Sequence, residues 1–114
     1  MMLTVLCGIP GSGKTTWRLR NRPDDLVVCS DDIREELTGD PRRQERNSQV
    51  FALARARVDA ALARGQDVVV DATNVTRDAR RQWIKLAANH DTPCRCVWIE
   101  CSLEQALRNN AGRD

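Results

Sequence analysis

Eight residues near the start, Gly8-Ile9-Pro10-Gly11-Ser12-Gly13-Lys14-Thr15, fit the pattern GxxxxGK[ST] at every fixed position. These residue types at this spacing can cradle a polyphosphate. Gly8, Gly11 and Gly13 let backbone N–H groups converge on an anion where side chains would block the approach. Ser12 and Thr16 belong to the same cradle. Lys14 would reach the β and γ oxygens of a nucleoside triphosphate, and the Thr15 hydroxyl would ligate Mg²⁺. An apolar run, Leu3-Thr4-Val5-Leu6-Cys7, leads in, and the helix-compatible Lys14-Thr15-Thr16-Trp17-Arg18-Leu19-Arg20 leads out. That helix would point its positive dipole end at the anion. ATP with Mg²⁺ is the implied ligand.

Two further clusters carry chemistry. The first is Ser30-Asp31-Asp32-Ile33-Arg34, just past an apolar run. In an open parallel sheet, residues beyond the strands' C-terminal ends face the ligand crevice. Asp31 is placed to be a general base that takes a hydroxyl proton as the hydroxyl attacks the γ-phosphate. Arg34, one helical turn on, would hold an acceptor phosphate or transition-state charge. Asp32 reads better as a helix N-cap, supported by Ser30. The second cluster, Val68-Val69-Val70-Asp71-Ala72-Thr73-Asn74, is an apolar strand closing on an aspartate, the Walker B pattern. It puts Asp71 near Mg²⁺, and Asn74 within reach of the acceptor or the catalytic acid. Thr76 reads as the N-cap of the helix that follows.

These residues need strands to end beside one another. Leu3–Cys7, Leu26–Cys29, Val68–Asp71 and Cys96–Cys101 read as strands, three of them near-continuous in Val, Ile, Leu and Cys, as in a parallel sheet buried on both faces. Between them lie a short turn over Asp32–Leu37, a helix from Arg43 to Arg64 and another from Arg77 to Asn89. A last helix begins near Leu103. In the long helix Val50, Leu53, Ala54, Val58, Ala61 and Leu62 recur at helical spacing, and Gly65 closes it. Trp83, Ile84, Leu86 and Ala87 would face inward from the next, and His90 would cap or offset its C-terminal end. The expected architecture is a three-layer α/β P-loop NTPase fold. Its four-stranded parallel sheet has the order 2-3-1-4 and is flanked by helices.

Composition narrows the class. A chain of 114 residues with 41% hydrophobic and 30% charged residues is expected to form one globular domain over residues 1–114. No apolar run approaches the roughly 20 residues that span a membrane, and the N-terminus lacks a basic signal region. A cytoplasmic location is the expectation. The cysteines Cys7, Cys29, Cys94, Cys96 and Cys101 are odd in number and form no CxxC pair, so they read as small hydrophobes. A net charge of +2 does not mark a strongly basic nucleic-acid domain, although 16 of the 18 basic residues are arginine. Codon bias in a GC-rich genome accounts for that lopsidedness better than phosphate recognition does.

Gly8–Thr15 with Thr16-Trp17, then Ser30-Asp31-Asp32-Ile33-Arg34, then Asp71-Ala72-Thr73-Asn74-Val75-Thr76-Arg77, resemble the polynucleotide 5′-hydroxyl kinase family in order and spacing. That group includes the kinase domain of bacteriophage polynucleotide kinase and the bacterial end-healing kinases, with zeta-toxin-like kinases as neighbours. The resemblance implies that Lys14 and Thr15 hold ATP·Mg²⁺ and that Asp31 is the general base for a DNA or RNA 5′-OH. It implies too that Arg34 grips the 3′-phosphate of the terminal nucleotide and that Asp71 belongs to the essential acidic set. The family's lid carries two arginines four residues apart that clamp the β- and γ-phosphates. Here Arg108 matches the first, while Gly112 stands at the second position and Arg113 follows it. Arg113 is therefore taken as the lid arginine. The chain reads as a minimal kinase, a fragment lacking the end of the lid, or a core completed by a partner.

Two other functions remain open on the sequence. One is a kinase for a small-molecule hydroxyl such as a nucleotide, sugar or antibiotic; the other is an NTP-binding module without transfer activity. The stretch from Pro41 to Phe51 should form the acceptor wall. There Arg42, Arg43 and Arg46 would either track a nucleic-acid backbone or form a solvated helix face.

Overall fold

The computed structural model describes residues 2–9, 11–41, 43, 45–100 and 107–108. Its strands are β1 (Leu3–Cys7), β2 (Leu26–Cys29), β3 (Val68–Asp71) and β4 (Cys94–Trp98). They form one parallel sheet in the order β2-β3-β1-β4, as the sequence led us to expect. The helices are α1 (Lys14–Asn21), α2 (Ser30–Thr38), α3 (Asn47–Ala63) and α4 (Arg77–Asn89).

The register places the site. β1 pairs Leu6 with Asp71 of β3, and β3 pairs the same Asp71 with Cys29 of β2. The phosphate-loop entrance, the strand-ending aspartate and the start of α2 therefore share one end of the sheet. β1 and β3 are interior strands and are buried at every position. β2 and β4 are edges and only partly covered, so the expectation of a second strand buried on both faces does not hold for β2.

Side chains alternate across β1 as the pleat demands. Leu3, Val5 and Cys7 pack into a cluster with Val50, Ala54, Val58, Ala61 and Leu62 of α3 and Trp83 and Ala87 of α4. Thr4 faces the other way, where it accepts a hydrogen bond from Arg95 Nε at 3.1 Å. The Arg95 guanidinium in turn lies 5.6 Å from the Trp17 ring of α1. One face of the sheet thus holds the main core and the other holds α1. Each of those large apolar side chains contributes about 1.5–3 kcal/mol when fully buried.

Several element bounds differ from the sequence reading. The expected turn over Asp32–Leu37 is a nine-residue helix, α2, that starts at Ser30. Its N-cap is Cys29, with no side-chain cap, so Asp32 is an exposed first-turn residue that favours the helix dipole rather than a cap. α3 begins at Asn47 rather than Arg43. Ahead of it, Arg43 N–H bonds the Asp40 carbonyl in a turn, and Arg46 Nη1 donates to the Leu37 carbonyl at 2.9 Å. β4 starts two residues early, because Cys94 pairs with Leu3 and the charged Arg95 finds Thr4 and Trp17 on the open face. Ile84 is exposed rather than inward.

Other local expectations agree with the structure. Thr76 caps α4 by accepting from Ala79 N–H at 3.1 Å, and His90 is the C-cap of the same helix. Gly65 follows the end of α3, with Gln66 N–H bonded to the Ala61 carbonyl and Gly65 N–H to that of Leu62. Of the expected helix from Leu103 only Leu107 and Arg108 are described, both helical; Cys101, Arg42 and Arg113 lie outside the described residues.

Candidate active site

β1 delivers the chain into the phosphate loop at Gly8, whose N–H bonds the Thr73 carbonyl just past β3 at 2.9 Å. That bond ties the loop to the end of the neighbouring strand. A Cβ at Gly8 would stand 2.6 Å from Ser12 Oγ and 2.9 Å from the Ile99 carbonyl oxygen, so the cradle closes only around glycine. Gly13, at φ 104, turns the chain into α1 in a conformation that L side chains rarely adopt. Lys14 Nζ donates to the carbonyls of Gly8 and Ile9 at 2.9 and 3.1 Å, bracing the loop from within. Ser12 Oγ is buried with no hydrogen-bond partner among the described residues. A glycine-lined cradle with an orphaned hydroxyl and an ammonium group fits a phosphate chain.

Gly11, Gly13, Lys14, Thr15, Cys29, Asp31, Asp71, Ala72 and Thr73 line one cleft. The structure therefore brings together the loop, the strand-ending aspartate and the first turn of α2. Thr16 is exposed and is not among the lining residues, and Arg108 is an exposed helical residue that is not among them either.

The two carboxylates differ sharply. Asp71 has a side chain only 8% exposed, and its pKa is pushed up by burial, against the lowering charges of Lys14 and Arg18. Asp31 and Asp32 add to the upward push, which is the electrostatic sign that all three acids face one region. Arg18 Nε lies 3.8 Å from Asp71 Oδ2. Sequence reasoning passed over Arg18, though its place one helical turn after Lys14 puts both cations on one face of α1. Thr15 and Asp71 are the oxygen donors in this cleft that would hold a Mg²⁺ ion. Asp31 is 65% exposed, and its Oδ1 accepts a 2.7 Å bond from Arg34 Nη1.

Two sequence-assigned side chains have other occupations. Asn74, 3% exposed, donates Nδ2 to the Leu6 carbonyl at 2.8 Å and to that of Ala72 at 3.3 Å. Its Oδ1 accepts Trp83 Nε1 at 3.0 Å. The expected acceptor contact is thus replaced by a brace between β1, the β3 exit and α4, because both amide hydrogens are already spent. Arg34 is buried rather than reaching into the cleft, and it bonds Asn47 as well as Asp31. Asn47 carried no motif signal. Arg43 pairs with Glu45, and Arg46 bonds Gln49 and the Leu37 carbonyl, both arginines lying exposed ahead of α3.

Among the described residues no helix is long and apolar enough to cross a membrane. The sequence profile of the family described as AAA domain matches residues 3–114. A bifunctional polynucleotide phosphatase/kinase of Schizosaccharomyces pombe is 30% identical over 111 residues, covering 97% of this chain and 24% of that protein. A chain in the structure of the Pnkp1/Rnl/Hen1 RNA repair complex superposes with a TM-score of 0.82 at 23% identity, covering 98% of this chain and 37% of the other. The Mycobacterium tuberculosis APS kinase CysC, solved with AMPPNP and APS, superposes at 0.69 with 19% identity, covering 97% of this chain and 69% of that one. The chain spans about a quarter of the curated relative's length.

Proposed function

Because the chain belongs to the AAA domain family, we propose that it is an ATP-dependent kinase that transfers the γ-phosphate to the 5′-OH end of DNA or RNA. The observation that carries this reading is the shared cleft. Asp31 lines it together with Lys14, Thr15 and Asp71, so a proton acceptor stands beside a phosphate cradle. A pure NTP-binding module has no use for that exposed carboxylate. The similarity to a phosphatase/kinase of polynucleotides over 97% of this chain supports a nucleic-acid end as acceptor.

In this reading the loop N–H groups and the α1 N-terminus bind the β-phosphate, and Lys14 leaves the Gly8 and Ile9 carbonyls to meet the β and γ oxygens. Asp31 accepts the 5′-OH proton as that oxygen attacks phosphorus and ADP departs. Mg²⁺ held through Thr15 and Asp71 would supply charge neutralisation at the β and γ oxygens. Arg113 is assigned as the lid cation and Arg108 as a nucleotide contact. Transfer in a loose transition state depends mainly on such positioning and charge, so losing Lys14 should cost on the order of 10³-fold or more.

The test is incubation with γ-labelled ATP, Mg²⁺ and a 5′-OH oligonucleotide, with Lys14→Ala as control. Label on the oligonucleotide that vanishes in the control is the expected result. ATP binding without label on any oligonucleotide would overturn the acceptor assignment and favour a small-molecule hydroxyl. Oligonucleotide affinity that falls steeply with salt would add support for a polynucleotide.

A further inference from the structure

Arg34 is a buried guanidinium, its side chain 7% exposed. Nε and Nη2 both donate to Asn47 Oδ1, at 3.2 and 3.0 Å. Nη1 donates to Asp31 Oδ1 at 2.7 Å and to the Pro41 carbonyl at 3.3 Å. Of the guanidinium's five N–H bonds, four therefore end in the protein. Arginine has no acceptor, so the Asn47 atom that faces it has to be the amide oxygen. A long, rotamer-rich side chain is fixed in one plane by the first residue of another helix.

Asp31 has the opposite need. It is mostly exposed on the first turn of α2, where an unrestrained carboxylate would sample several rotamers. A charge-assisted bond from a guanidinium that cannot itself move selects one of them.

We propose that Asn47 is a positioning residue for phosphoryl transfer: it locks the Arg34 guanidinium, and the locked guanidinium aims the Asp31 carboxylate at the attacking hydroxyl. This rests on the reading of Asp31 as the acceptor's base. It leaves Arg34 one further N–H with which to meet an acceptor phosphate. Asn47 acts through Arg34 and touches no substrate.

The full chain is assayed with saturating ATP and a 5′-OH oligonucleotide, comparing Asn47→Ala and Asn47→Asp. Asn47→Ala should lower kcat about 10- to 100-fold and leave the KM for ATP within about twofold. Asn47→Asp keeps an oxygen for Nε and Nη2 and should restore kcat to within about threefold of the original. Unchanged kcat in Asn47→Ala, equal damage in Asn47→Asp, or parallel loss of ATP binding would each overturn the proposal. A second readout needs no turnover. The Arg34 Nε–H proton should give a slowly exchanging NMR signal that is lost in Asn47→Ala and kept in Asn47→Asp. Exchange as fast as in surface arginines would overturn the lock. If the unsubstituted chain labels no oligonucleotide, the acceptor reading falls, and the lock is judged on this signal.

Discussion

Asp71 closes an interior strand with a side chain 8% exposed, whereas Asp31 starts a helix beyond an edge strand and is 65% exposed. Around Asp71 the site is made of backbone: loop N–H groups, the Gly8–Thr73 bond and strand ends fixed by register. Around Asp31 it is made of side chains, Arg34 bonding Asp31 on one side and Asn47 of another helix on the other. A backbone cradle is preformed by the fold, so the phosphate half is rigid and tolerates little change at its glycines. A side-chain cradle can be retuned by single substitutions.

The comparison is tested most severely by Asp31→Asn. The amide keeps an oxygen for Arg34 but cannot take the hydroxyl proton, so transfer should fall about 10²- to 10⁴-fold while ATP affinity stays put. Near-normal transfer would remove Asp31 from the role of base. Cys29 sits at the junction of the halves, at the end of β2 and in the cleft. Burial pushes its thiol to about 11 despite helix N–H groups that pull the other way. Compared with the ordinary 9.0, that implies alkylation roughly a hundredfold slower at pH 7–8, to be measured by mass spectrometry. Labelling at the rate of a free thiol would mean that the α2 N-terminus dominates instead.

Asn74→Ala separates bracing from acceptor contact. It strands Trp83 Nε1 and the Leu6 carbonyl, so denaturant unfolding should show a loss of about 2–3 kcal/mol. A change in acceptor KM with stability intact would return Asn74 to the acceptor side. The smallest change in stability is expected from Asp71→Asn. Burial raises the folded pKa of Asp71, so its favourable contribution is present below the ordinary 3.8 and is lost as pH rises through the folded value. At pH 7 the neutral amide should therefore raise Tm, while transfer is abolished. The gain should fade as the solution is acidified toward 3.8, a trend followed by thermal melts across pH. A lower Tm at pH 7 would mean that the Lys14 and Arg18 charges outweigh burial.

The phosphate half was legible in the sequence because its information is local. Gly8 to Thr15 specify a loop, a positive-φ turn at Gly13 and a helix start within eight consecutive residues. The three strands Leu3–Cys7, Leu26–Cys29 and Val68–Asp71 were bounded by their own apolar runs. Where reading failed, the missing partner was distant. Asn74 looked like an acceptor ligand until Leu6, 68 residues away, claimed its amide. Arg34 reads from sequence as a phosphate ligand, yet Asn47, at the start of α3, holds its guanidinium.

The sequence by itself determined a triphosphate cradle, two carboxylates at strand ends and the order of alternating elements. These follow from local backbone preference and from apolar periodicity, which act over a few residues. Only the tertiary structure decided which carboxylate is buried, which arginine is held and which polar side chains are already spent. Burial and hydrogen-bond partnership depend on which chain segment arrives from far away, and a buried polar group must take whatever partner that packing supplies.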